Sequence, residues 1–160
     1  MQIQVGIITV SDRASRGLYA DLSGPALKAA AEANGWKVLA EALVPDDKQT
    51  LQRAVQEQVG RGCHVVLTTG GTGVGPRDVT PEAVREIAQR ELSGFGEVMR
   101  QESMKLTPKA ILSRSLAVVV GKSLVLCLPG KPKGAVECLG FVAATIPHCI
   151  EVLIGANAPC

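Results

Sequence analysis

Three apolar, β-branched runs occupy the first half of the chain, at residues 3–10, 36–44 and 65–69, and each leads through a polar loop into an amphipathic stretch. A run with little polar alternation suits a strand buried on both faces. Strands that alternate with helices build a parallel sheet covered on both sides. The expected fold is therefore α/β with three α-β-α layers, and residues 3–10 form an inner strand.

Local signals place the helices. Ser23 is a candidate N-cap with Pro25 in the first turn, and Gly35 is the glycine that ends this Ala-rich helix. Asp46 or Asp47 caps a second helix, whose Leu51, Val55 and Val59 recur at helical spacing before Gly60 and Gly62 end it. Thr80 and Pro81 fit the N-cap and N1 positions of a third, carrying Val84, Ile87 and Ala88. Residues 94–105 are expected to be helical, with Pro108 as an interruption. Residues 116–120 and 124–128 flank Gly121-Lys122-Ser123, read as a three-residue hairpin connection. The sheet is thus expected to be mostly parallel, with a β-hairpin in the C-terminal half. Beyond Pro129, the run from Gly134 carries Val136, Leu139, Gly140 and Ala143 at helical spacing, and Pro147 opens a last helix through Leu153.

A chain of 160 residues is expected to form a single domain over 1–160, which buries roughly 70% of its unfolded surface. Aromatic residues are only 2% of a chain that is 46% hydrophobic, so the core is expected to be aliphatic. The net charge of +2 comes without a basic run, which argues against nucleic acid as a partner. No uninterrupted apolar stretch has the roughly 18 residues of a membrane span, and the N-terminus reads as a strand rather than a signal peptide; a cytoplasmic protein is expected. The five cysteines, Cys63, Cys127, Cys138, Cys149 and Cys160, are odd in number and include no C-x-x-C pair, so reduced and mostly buried thiols are expected. His64 and His148 lie outside any motif and are assigned structural roles.

The chemistry concentrates in Thr68-Thr69-Gly70-Gly71-Thr72-Gly73, directly after the third buried run. In an open α/β sheet such a loop lies at the carboxyl edge, where ligands bind, and its amides can form an anion-binding concavity. The hydroxyls of Thr69 and Thr72 are candidate additional donors. The same glycines also suit a sharp turn with no ligand. Neither G-x-x-x-x-G-K-[ST] nor G-x-G-x-x-G is present, which argues against Walker-type and Rossmann sites. Asp78 sits two residues before Thr80, where a phosphate would also be drawn, and a divalent cation would reconcile the two anions. Asp46 occupies the corresponding edge position after the second run. Read alone, each aspartate also fits a turn or helix-start role.

With these residues the chain resembles the molybdenum-cofactor biosynthesis family that includes bacterial molybdopterin adenylyltransferases and the related domains of gephyrin. The resemblance is carried by Thr9-Val10-Ser11-Asp12-Arg13 with Gly17, Tyr19 and Asp21, by Val44-Pro45-Asp46-Asp47, and by the Gly-Thr loop. Further carriers are Arg77-Asp78-Val79-Thr80-Pro81-Glu82-Ala83, Gly94-Phe95-Gly96-Glu97 with Met99 and Arg100, Leu112-Ser113-Arg114, and Leu128-Pro129-Gly130-Lys131-Pro132. It implies adenylyl transfer from Mg-ATP to the terminal phosphate of molybdopterin, with release of pyrophosphate. It implies Asp46 and Asp78 as catalytic carboxylates acting through Mg²⁺. Nucleotide and pterin contacts fall to Ser11, Asp12, Gly70, Gly71, Thr72, Gly73, Thr80, Pro129 and Gly130, while Arg77, Arg114 and Lys131 are candidates for meeting phosphates. The resemblance also implies a homotrimer and contact with a molybdate-inserting enzyme. A non-catalytic molybdopterin carrier of the same family is the alternative.

Overall fold

The computed structural model describes residues 1–156; Cys160 lies outside the described residues. Strands β1 (Gln4–Val10), β2 (Lys37–Val44) and β3 (Val65–Thr69) fall on the three apolar runs. They join β4 (Arg90–Glu91), β5 (Leu116–Val120) and β6 (Ser123–Leu128) in one sheet of order β2-β1-β3-β6-β5-β4. The first four strands in that order run parallel, and β6-β5-β4 are antiparallel. β1 is an inner strand between β2 and β3, as its unbroken apolar pattern requires.

The helices are α1 (Asp12–Ser15), α2 (Ser23–Ala33), α3 (Lys48–Gly60), α4 (Thr80–Ile87), α5 (Ser93–Met104), α6 (Pro132–Val142) and α7 (Ile146–Leu153). Two 3₁₀ turns, Pro108–Leu112 and Ala143–Thr145, complete them. One face of the sheet, through Val5, Ile7, Val65, Leu67 and Leu126, packs on Leu27, Met99, Leu139, Ile146 and Ile150. The other, through Ile8, Val66, Val118 and Val125, packs on Leu51, Val55, Ala83 and Val84. Side chains that alternate along each strand therefore feed two separate aliphatic cores, the physical basis of three layers.

Several local signals serve other ends than expected. Asp21, not Ser23, secures the start of α2: its Oδ1 accepts from the amides of Ser23 and Gly24 at 3.1 and 3.0 Å. The Ser23 hydroxyl instead donates to the Gly130 carbonyl at 2.6 Å. Asp47 caps α3 by accepting from the Thr50 amide at 2.8 Å, which leaves Asp46 uncommitted to that role. Thr80 lies within α4, whose N-cap is Val79 without a side-chain bond. The hairpin turn has two residues, because Val120 pairs with Ser123, and Gly121 takes φ +62°. α6 buries Ala135, Cys138, Leu139 and Val142 while Gly140 is exposed, so its face is rotated from the expected one. β4 and α1 are too short to carry a periodicity, and no sequence pattern marks them.

The helical run Pro132–Leu153 has the length and apolarity of a membrane span. Counting uninterrupted apolar residues misses it because Lys133 and Glu137 interrupt it. Ala143–Thr145 breaks its α-helical pattern, and Leu139, Ile146 and Ile150 are core residues here. Cys63, Cys127 and Cys138 are buried free thiols and Cys149 is partly buried; burial pushes the Cys127 thiol up to about 12.

Two exposed glycines separate backbone conformation from packing, since an added Cβ would meet nothing within 4 Å at Gly35 or Gly140. Gly35 has φ +78°, whereas Gly140 sits in α6 with ordinary helical geometry. Denaturant unfolding should show Gly140→Ala stabilising by about 0.5–1 kcal/mol and Gly35→Ala destabilising by about 1–2 kcal/mol.

Candidate active site

The strand order places the loops after β1 and β3 on either side of the point where the chain reverses direction across the sheet. In open α/β sheets this crevice holds the ligand. Here it is a cavity of about 650 Å³ whose wall includes Ser11, Asp46, Gly70, Gly71, Thr72, Gly73, Asp78, Pro129 and Gly130. Nine of the expected site residues thus converge from the loops after β1, β2, β3 and β6.

The Gly-Thr loop is fixed through its oxygens. The Gly70 carbonyl accepts the Thr80 hydroxyl at 2.9 Å and the Gly71 carbonyl accepts the Thr80 amide at 3.1 Å. The Thr72 carbonyl accepts the Arg114 amide at 2.8 Å, and the Gly73 carbonyl accepts Arg114 Nε, also at 2.8 Å. Gly70 donates its own amide to the Leu128 carbonyl at 3.1 Å. Among the described residues, no acceptor engages the amides of Gly71, Thr72 or Gly73. The loop therefore presents three unused donors at the cavity wall, an arrangement suited to phosphate oxygens.

Glycine is required here by space as well as by conformation. Gly70 has φ +107°, and a Cβ there would lie 2.2 Å from the Val10 carbonyl oxygen. Gly71 has φ +68°, and its Cβ would meet Thr80 Oγ1 at 2.3 Å and Asp46 Oδ1 at 3.1 Å. The two carboxylates flank the loop: Asp46 lies beside Gly71, and Asp78 Oδ2 accepts the Gly75 amide at 2.8 Å and lies 2.9 Å from the Cβ position of Gly73.

Asp46 is held by a reciprocal pair of bonds. The Asp12 amide donates to Asp46 Oδ2 at 2.9 Å, and the Asp46 amide donates to Asp12 Oδ1 at 3.0 Å. Arg77 closes the other side of Asp12, its Nε 3.0 Å from Oδ2, and donates to the Asp46 carbonyl at 3.2 Å. That guanidinium holds the Asp12 carboxyl below its ordinary range. Asp46 shifts the other way: burial raises its pKa, and the neighbouring carboxylates of Asp12 and Asp78 add to the effect. The main cavity thus contains an acid that the protein alone solvates poorly.

Several of the expected contact residues also act as supports within the fold. Asp12 does not line the cavity but orients Asp46, and Arg77 is occupied by Asp12. Thr80 is fully buried beneath the loop, and the Thr69 hydroxyl donates to the Pro129 carbonyl at 2.7 Å. Ser11 lines the cavity while its Oγ accepts the Ala14 amide at 3.1 Å and so caps α1. Arg114 braces the loop, donating also to the Asp78 carbonyl at 2.9 Å and pairing with Glu82. Lys131 does line the cavity, joined by Lys109 from the 3₁₀ segment and by Ser113 just after it, neither of which the sequence assigns to the site. The Pro108 interruption is the available signal for that segment. His64 accepts the Gln4 amide at 3.0 Å through Nδ1, in keeping with a structural role.

Fold and site together define a doubly wound α/β protein that presents an amide loop and two flanking carboxylates at one cavity. Residues 6–148 match the family described as a probable molybdopterin binding domain, and the chain belongs to that family. It is 42% identical over 164 residues to the molybdopterin adenylyltransferase of Helicobacter pylori strain J99, covering 96% of this chain and 89% of that one. The Escherichia coli K12 molybdopterin adenylyltransferase is 41% identical over 169 residues, covering 96% and 86%. The crystal structure of the molybdopterin biosynthesis enzyme MoaB from Thermus thermophilus superposes with a TM-score of 0.91 at 40% identity, covering 99% of this chain and all of that one.

The raised Asp46 has a testable cost. Below the ordinary carboxylate value of 3.8 the group is protonated whether folded or unfolded; stability is lost as pH rises through the raised folded value. Asp46→Asn keeps an oxygen for the Asp12 amide and removes the charge. Urea midpoints should differ least below the ordinary carboxylate value, favour the variant increasingly as pH rises through the raised folded value, and level off above it; a gap independent of pH would overturn this account.

Proposed function

We propose that this chain transfers an adenylyl group to molybdopterin, the activity for which its relatives at 41–42% identity are named. The observation that supports it most directly is the trio of unused amides at Gly71, Thr72 and Gly73 between two carboxylates. In the proposed reaction the terminal phosphate of molybdopterin attacks the α-phosphorus of ATP. The bond to pyrophosphate breaks, leaving adenylyl-molybdopterin.

Transfer of this kind requires alignment and charge neutralisation more than a covalent role for the protein. The loop amides would bind phosphate oxygens without bringing a mobile charge. Lys109 and Lys131 stand on the wall shared with an adjoining cavity of about 500 Å³, which gives two substrates separate space around a common boundary. Asp46 and Asp78 would hold Mg²⁺. Among the described residues no cluster of three or more metal-binding side chains is present, so phosphate oxygens and water would complete its coordination. When bound, the ion would neutralise the phosphates and polarise the α-phosphorus. The donor set fits: two carboxylates near one another, one of them with its pKa raised by burial, gain from a shared cation.

We place the reaction in the cytoplasm, in a homotrimer that hands its product to a molybdate-inserting enzyme. The buried, unpaired thiols are compatible with a reducing compartment.

Incubation with Mg-ATP and molybdopterin should yield adenylyl-molybdopterin by mass spectrometry, with stoichiometric pyrophosphate. Asp78→Asn retains an acceptor for the Gly75 amide and should lower turnover by about 100-fold or more while leaving molybdopterin binding near wild type. Binding without any adenylylated product would identify a non-catalytic carrier.

A further inference from the structure

One motif remains outside the site described above, Gly94-Phe95-Gly96-Glu97 with Arg100, and it faces the end of Leu112-Ser113-Arg114, whose Arg114 braces the Gly-Thr loop. The fold brings them together around a second polar cavity of about 260 Å³, between α4, α5 and the start of β5. Arg85, Arg100 and Arg114 all contribute to its wall.

These guanidiniums are not equivalent. Arg85 is paired with Glu91 at 2.9 Å and Arg114 with Glu82. Arg100 has no ion pair among the described residues; its Nη1 donates only to the Ser115 carbonyl, at 2.7 Å. The guanidinium is partly buried, and its place against α5 exists because residue 96 is glycine. A Cβ there would lie 3.0 and 3.2 Å from the two Arg100 Nη atoms and 2.7 Å from the Ser115 oxygen.

Beside it is a second unmet group. Ser115 is 0% exposed, lines the same cavity, and its Oγ has no hydrogen-bond partner. A buried hydroxyl without a partner is costly, and so is a partly desolvated cation without a counter-ion. Glu97 also borders the cavity but is exposed and pairs with none of the three arginines. One ligand class answers both groups: an oxyanion that accepts from a guanidinium fork and from a hydroxyl.

We propose that this cavity is a binding site for a small phosphate-type oxyanion, with Arg100 as its principal charge and the Ser115 hydroxyl as a second donor. Its volume suits orthophosphate or pyrophosphate and is well under half that of the main crevice. Arg114 divides the two, reaching the Gly73 and Asp78 carbonyls from the partition. The site requires nothing of the adenylyl-transfer reading, so either can fail alone.

The test is an NMR titration of the full chain, in chloride buffer, with orthophosphate in one arm and pyrophosphate in the other. Binding should shift the Arg100 Nε–H and the Ser115 amide along a saturation curve separate from that of Gly71, Thr72 and Gly73. The tighter arm identifies free phosphate or the diphosphate as the better ligand. Ser115→Ala removes a hydroxyl that makes no bond in the fold, so the protein should remain folded while affinity read at Arg100 falls about tenfold. Arg100→Gln should weaken it at least as much, and Glu97→Gln should strengthen it. If neither anion moves the Arg100 and Ser115 signals at millimolar concentrations, whatever the Gly-Thr loop does, or if Ser115→Ala binds like wild type, the proposal is wrong.

Discussion

The site depends on an asymmetry in one loop: its carbonyls are consumed by the protein and three of its amides are not. Thr80 takes the oxygens of Gly70 and Gly71, and Arg114 takes those of Thr72 and Gly73. Each of these bonds removes an alternative partner that would let the loop turn over. A loop secured only through side chains could present either edge of its peptides to the crevice. Secured through its oxygens, it retains only donors, so selectivity for an anion is set by the backbone before any cationic side chain is counted. Two residues therefore determine the chemistry of a surface that neither needs to touch.

The carboxylates follow a different logic. Asp12 and Asp46 exchange amide-to-carboxylate bonds across the ends of β1 and β2, and of the two carboxylates Arg77 pairs only with that of Asp12. The pairing divides two adjacent acids into a neutralised brace and an under-solvated partner, whose shifts run in opposite directions for that reason. In the proposed reaction, a cation held with phosphate would relieve the charge that the fold leaves poorly solvated at Asp46.

Most of the parallel half was legible in the sequence because burial on both faces leaves an unmistakable apolar run, as in residues 65–69. That Asp46 and Asp78 would approach one cavity was legible because the ends of β2 and β3 share one edge of the sheet. Roles that depend on hydrogen-bond partners distant in sequence were not. Ser23 looked like a cap, yet its hydroxyl serves Gly130, 107 residues away. Thr80 looked like a ligand contact and is the buried post beneath the loop. Arg114 looked like a candidate for meeting phosphates and is the loop's main brace, since nothing near position 114 reveals that the Gly73 carbonyl will lie within reach. The two-residue β4 has too little length for any pattern to identify it.

The antiparallel half explains why the fold extends beyond a minimal β-α-β-α-β unit. β6 sets Pro129 and Gly130 against the glycine loop, where a Cβ on Gly130 would sit 3.3 Å from the Gly70 Cα. β5 begins just after Arg114, so the register of that strand fixes where the guanidinium emerges. β4 and α5 then hold Gly96 and Arg100 on its far side, with Arg100 bound to the carbonyl of the residue that follows Arg114. The hairpin thus connects the walls of the two cavities through one segment, Ser113-Arg114-Ser115. A displacement that altered the hold on Gly73 would have to pass through a strand with every residue buried. Such a strand resists continuous deformation, so the spacing between the loop and Arg100 is set by core packing rather than by the surface residues themselves.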